Sequence, residues 1–131
     1  VVRLLDSIVE TQTEIGQILI SDGGKNLRQI VELYKNKLNI RCVYPPISGQ
    51  VLQRNYARKF LYKNIRMVIH FDDDIIVEKD ALNKMILFWN NYKSYGGKHL
   101  AGASFNLTNS NKGKLPGVPK LITILSLKFF L

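Results

Sequence analysis

Short apolar runs of strand length alternate with amphipathic stretches of helix length along most of this chain. Leu4, Leu5 and Ile8 share one helical face in a segment from Val2 to about Glu10. Gly16 interrupts it, and Gln17-Ile18-Leu19-Ile20 reads as a buried strand. Ser21-Asp22-Gly23-Gly24 is a turn. Leu27, Ile30, Val31, Tyr34 and Leu38 recur at helical spacing and predict a helix over 26–38. A short strand over 40–44 ends at Pro45-Pro46. Ser48-Gly49 opens a helix that runs to about 62, and a strand follows over 66–71. Ala81, Leu82, Met85, Ile86 and Trp89 mark a helix over 78–92, with Trp89 as a core anchor, and Gly96-Gly97 stops it. A strand is expected over 99–105, then a polar Gly- and Lys-rich loop over 106–117. Pro119 suits the first turn of a last helix. Strand and helix in alternation predict an α/β layered fold, with a mostly parallel sheet flanked by helices. In such sheets ligands collect at the carboxyl ends of the strands.

Two strands end on acid. Asp22 follows the first, and Phe71-Asp72-Asp73-Asp74-Ile75 follows the apolar Met67-Val68-Ile69-His70. Three adjacent carboxylates repel one another, and desolvation at a sheet edge adds to the cost. A cation relieves both. A hard divalent ion, Mg²⁺ or Mn²⁺, takes oxygen ligands and can hold a diphosphate at the same time. A solvated acidic turn capping the next helix is the plainer reading of the triplet, and the triplet alone does not separate the two. Because both acidic turns follow strands, they are expected to share one edge and one cleft.

At 131 residues the chain is one domain or part of one, and its 46% apolar content suits a packed core. Nineteen Lys and Arg against ten Asp and Glu give a formal charge of +9, which favours anionic partners. Lys112, Lys114, Lys120 and Lys128 make the tail basic. The basic residues are otherwise scattered, with no nucleic-acid motif, so dedicated nucleic-acid binding is not expected. Cys42 stands alone, so no internal disulfide forms, as in a reducing, cytoplasmic setting. The first residues lack the apolar stretch of a signal peptide, and 121–131 is too short to span a bilayer. Gly23-Gly24-Lys25 lacks the remaining residues of a Walker phosphate loop. His70 and His99 have no partner at zinc-ligand spacing. Asn106-Leu107-Thr108 fits a glycosylation acceptor, with nothing else to suggest secretion.

Three separated segments, Ile20-Ser21-Asp22-Gly23-Gly24, Gln53-Arg54-Asn55 and Phe71-Asp72-Asp73-Asp74, stand in an order and spacing that resemble the family-2 glycosyltransferases with the GT-A fold. Leu4-Leu5-Asp6-Ser7-Ile8 with Gln12-Thr13, and Ala101-Gly102-Ala103, also look like that family, so the resemblance covers roughly residues 3 to 107. It implies a Rossmann-like GT-A fold and transfer of a sugar from a nucleotide-diphosphate sugar, of the UDP type, to an acceptor hydroxyl, with inversion at the sugar carbon. Asp22 would accept from the base, with Gly23 letting the backbone pass close to it. Arg54 would reach the nucleotide or its phosphates, and Asn55 would brace the turn. Asp72 would contact ribose or metal, Asp73 the sugar, and Asp74 the Mn²⁺ or Mg²⁺, with Asp72 and Asp74 on one side of an extended segment. The family's first strand should precede Val1, leaving 17–20 and 67–71 without a neighbour. The acceptor half should follow about Leu131. The chain thus reads as a partial domain over 1–131, incomplete at both ends and inactive alone, with 118–131 starting the acceptor side. A glycan or lipid-linked acceptor of surface polysaccharide synthesis is implied, and the basic tail suits peripheral contact with an anionic cytoplasmic membrane face. No catalytic base is nominated, since Glu78 and Asp80 suit a helix first turn.

Asp72-x-Asp74-x-Ile76 also resembles the nucleophile motif of haloacid-dehalogenase-like phosphatases, with Asp72 as nucleophile and Asp74 as acid. That reading leaves Asp22 and Arg54 without a role. Exostosin-like glycosyltransferases show a similar Asp-Asp-Asp-Ile turn followed by a Trp, here Trp89, and share the metal logic. A non-catalytic nucleotide-binding remnant is the third alternative.

Overall fold

The computed structural model describes residues 1–24, 26–46, 49–92, 94–95, 98–99, 101–104 and 124–127. The expected loop over 106–117, the helix start at Pro119, the Asn106 acceptor motif, Gly96-Gly97 and the four tail lysines lie outside the described residues. The elements run α1 (Val2–Glu10), β1 (Ile18–Ser21), α2 (Arg28–Tyr34), β2 (Ile40–Val43), α3 (Gln50–Arg58), β3 (Met67–His70), α4 (Ala81–Tyr92), β4 (Ser94–Tyr95), β5 (Lys98–His99) and β6 (Ile124–Leu127).

β1 and β2 run parallel, with Ile18 opposite Ile40 and Ser21 opposite Val43. Asp22 N–H continues the pairing to Val43 O at 2.9 Å, so the register holds up to the acidic turn. β1 is covered on both faces, which is why its sequence is a continuous apolar run. Ile18 packs into one cluster with Leu4, Leu5 and Ile8 of α1, Tyr34 of α2 and Leu82 of α4. Leu19 packs on the other side, with Val43 and Ala57 of α3. Helices therefore flank a small parallel sheet, and the α/β layering expected from the sequence is present.

The extent of the parallel sheet is corrected. Among the described strands only β1 and β2 pair in parallel. β3 pairs antiparallel with β6, Met67 opposite Leu127 and His70 opposite Ile124, and β6 also lies beside β1. β6 thus supplies the neighbour that 67–71 was expected to lack. Residues 124–127, which follow the helix start expected at Pro119, are strand; the run Leu121-Ile122-Thr123-Ile124-Leu125 is rich in β-branched residues that favour a pleated surface. The strand expected over 99–105 shrinks to β5, which pairs with β4 across Gly96-Gly97 in the sequence. A glycine pair between strands is a hairpin signal as well as a helix stop. α2 begins at Arg28 because Asn26 holds φ 51°, a left-handed conformation that a helix does not admit.

Three buried polar side chains tie the layers. Gln17, 1% exposed, donates Nε2 to Phe60 O at 3.0 Å and accepts from Tyr62 N–H at 3.1 Å, fastening the start of β1 to the end of the α3 segment. Ser7 Oγ accepts from Val77 N–H at 3.0 Å and holds the chain beyond the acidic turn against α1. Tyr34 Oη donates to Asp6 Oδ1 at 2.6 Å; that bond, then burial, pushes the phenol up to about 12.

Candidate functional site

β1 and β3 deliver their acidic turns to one place. Asp22 and Gly23 from the first, and Asp72 and Asp73 from the second, line a cleft of about 420 Å³ whose third wall is α3. Positions 50, 53, 54 and 57 of α3 face it, the three- and four-residue spacing of one helical stripe.

Asp22 is 4% exposed. Its Oδ1 accepts from Gly24 N–H and its Oδ2 from Leu27 N–H, both at 2.9 Å, so this carboxylate is the frame of the turn. Of the two glycines that follow, Gly24 is required by geometry, because its φ of 122° strains L side chains. A Cβ on Gly23 would meet only the flexible end of the Gln53 side chain.

Arg54 is the cation of the cleft. Its side chain is 13% exposed, and Nη2 lies 3.8 Å from Asp72 Oδ1. Nε and Nη2 are buried and have no hydrogen-bond partner among the described residues. A charged donor left in that state costs free energy that an acceptor oxygen would recover.

The acidic triplet is not extended. β3 stops at His70, and Ile75 N–H reaches Asp72 O at 3.4 Å, which closes a turn over 72–75. Strand alternation therefore does not apply, and the expected alignment of Asp72 with Asp74 is corrected. Asp72 is half-buried in the cleft, Asp73 is exposed at its mouth, and Asp74 is exposed and outside the cleft lining. Asn55 is also outside it. It is exposed on the next stripe of α3 and faces a second hollow.

That hollow, about 390 Å³, lies between Val51, Arg54, Asn55 and Arg58 of α3 and Val68 and His70 of β3. Burial, then the charges of Arg54 and Arg58, lowers the His70 imidazole to about 4. Arg58 and His70 were not singled out for this role from the sequence. The spacing 51, 54, 55, 58 was legible as one helical face, and 68 and 70 as one strand face.

Among the described residues no group of three or more His, Cys, Asp or Glu side chains stands together as a metal site. Mg²⁺ and similar hard ions are commonly held by one or two carboxylates plus phosphate oxygens. Asp72, half-buried beside a cavity that also holds a cation, fits that kind of donor set. An all-protein cage does not fit. Cys42 is half-buried, and burial pushes its thiol up, away from reactivity. No helix among the described residues is long and apolar enough to cross a membrane. Comparison of the chain with family models, with curated proteins and with solved structures finds no match.

Proposed function

We propose that the Asp22–Arg54–Asp72 cleft binds a nucleotide-diphosphate sugar of the UDP type, and that the chain is the donor-binding part of a metal-dependent, inverting glycosyltransferase with a Rossmann-like GT-A fold. The observation that carries this reading is convergence. Three segments far apart in sequence meet in one cleft, two of them as acidic turns at strand ends and the third as a largely buried arginine with donors to spare.

In this reading the Asp22 turn receives the base, and the bare backbone at Gly23 allows close approach. Arg54 offers Nη2, the group beside Asp72, to phosphate oxygens, and charge-assisted contacts of this kind are the strong ones. Asp72 would hold Mn²⁺ or Mg²⁺ together with phosphate oxygens, with Asp74 outside the cleft lining; when bound, the ion neutralises charge on the departing diphosphate. Asp73 at the mouth is placed for the sugar. The base that deprotonates the acceptor is unassigned. Asp80 is engaged with Lys84 at 3.7 Å ahead of α4 and serves that helix. The phosphatase reading uses only Asp72 and Asp74, which do not line one cavity, and leaves Asp22 and Arg54 without a purpose.

Calorimetric titration of UDP into the chain, with and without Mn²⁺, tests the proposal. Manganese-dependent binding that weakens about tenfold or more in Asp72→Asn is expected, the effect of losing one charged ligand. Binding that ignores both manganese and the substitution sinks the metal-bridged site. A chain that binds the donor but catalyses no transfer, even with its acceptor half supplied, is a nucleotide-binding remnant.

A further inference from the structure

We infer that the hollow between α3 and β3 is a second binding site, for a phosphate-type oxyanion, on the far side of Arg54 from the nucleotide cleft. The inference does not rest on the nucleotide reading.

Val51 lies three and four residues before Arg54 and Asn55, and Arg58 four and three residues after them, so one face of α3 presents two guanidinium groups and an amide. Val68 and His70, two residues apart on β3, form the opposite wall. Among the described residues no carboxylate lines the hollow. Arg58 has no ion-pair partner among the described residues, and Arg54 meets Asp72 only at 3.8 Å. Among the described residues, Nε and Nη2 of Arg54 and Nδ1 of His70 are buried without hydrogen-bond partners. Donors therefore outnumber acceptors in a concave, positively charged space. Burial first, and then the charges of Arg54 and Arg58, lower the basicity of His70, as its place in this hollow requires.

The ligand chemistry follows from the donors. Guanidinium groups match the paired oxygens of phosphate, and the amide of Asn55 adds one more N–H. A volume of about 390 Å³ accommodates a phosphate and part of whatever carries it. A carboxylate would satisfy fewer of these donors. The apolar Val51 and Val68 in the lining suit a carrier with some hydrocarbon character.

The test is a titration of inorganic phosphate into the chain at constant ionic strength, read by calorimetry and by amide chemical shifts of α3 and β3. Arg58→Gln is the informative variant, because Arg58 is exposed at the end of α3 and its loss leaves the core intact. Arg3→Gln, an exposed arginine on α1 outside the hollow, is the charge-matched control. Saturable binding that Arg58→Gln weakens about tenfold, and Arg3→Gln leaves unchanged, is expected from the loss of one charge-assisted contact. UDP binding with Mn²⁺ should survive Arg58→Gln, which separates this site from the cleft. A second arm sediments the chain with vesicles containing phosphatidic acid. Capture that free phosphate competes away, and that Arg58→Gln abolishes, assigns the site to a lipid phosphomonoester; a response to free phosphate alone assigns it to a dissolved one. No saturable response in either arm, or an equal response from Arg58→Gln, overturns the inference.

Discussion

Asp22 is first of all a folding position. Both of its oxygens accept backbone N–H groups, and the residue is almost fully buried. Removing the carboxylate leaves two donors without their partner, at roughly 1 kcal/mol or more each. Asp22→Ala is thus expected to lose about 2 kcal/mol in urea denaturation, and Asp22→Asn, which keeps one acceptor oxygen, about half of that. Full stability in Asp22→Ala would show that the turn does not depend on it. Tyr34 is the second residue with a measurable signature. Its phenol is held neutral in the fold up to about 12, against 10 in an unfolded chain. The neutral form is therefore favoured by folding. The stability it contributes is complete below pH 10 and is lost as pH rises from 10 towards 12. Phenolate absorbance should show one tyrosine ionising late, and Tyr34→Phe should remove that step. If the variant keeps the late step, the Asp6 hydrogen bond is not its cause.

At the scale of elements, α3 is the piece on which both cavities depend. Its stripe at 50, 53, 54 and 57 walls the cleft of Asp22 and Asp72, its stripe at 51, 54, 55 and 58 walls the hollow against β3, and Arg54 belongs to both. The acidic turn is held differently, by the chain that leaves it. Val77 N–H ends on Ser7 Oγ, so α1 anchors the exit of the turn. Ser7→Ala orphans that buried N–H and is expected to cost about 1–3 kcal/mol. It should also speed hydrogen exchange at Val77 while leaving β1 and β2 protected. Uniform loss of protection would mean that Ser7 supports the whole core rather than the turn. Elements with a strong local pattern were legible in the sequence: α1, the β1 run and the core side of α4 follow from apolar spacing, and the start of α3 follows from Ser48-Gly49. The fold of 72–75 was not, because three identical carboxylates give no cue to which of them turns inward. Nor was β6, since a strand's partner is selected by distant contacts that local composition does not encode.

On the scale of the whole molecule, the sequence specified the layers better than the sheet. Ile18 and Leu19 point into different clusters, and a run apolar at every position announces a strand covered on both sides. The direction of pairing carries no such mark, so the expected parallel neighbours of β3 gave way to an antiparallel one. The meeting of Asp22 with Asp72 in one cleft was legible from topology alone, because both follow strands at their carboxyl ends. The membership of Arg58 and His70 in a second hollow needed the packing of α3 on β3, which no single segment reveals.

The pairing of β3 with β6 has a consequence for how the chain is made. β1 and β2 are joined by a brief crossover through α2 and can associate as soon as both have emerged from the ribosome. The partner of β3 arrives much later in synthesis, after α4 and the whole of the following segment. Closing so long a loop is entropically costly and slow. For that interval the nascent chain presents an unpaired, apolar strand edge beside a folded core. Translation speed beyond α4, and the chaperones that meet the chain there, then set how much of it reaches the native pairing instead of pairing with another copy.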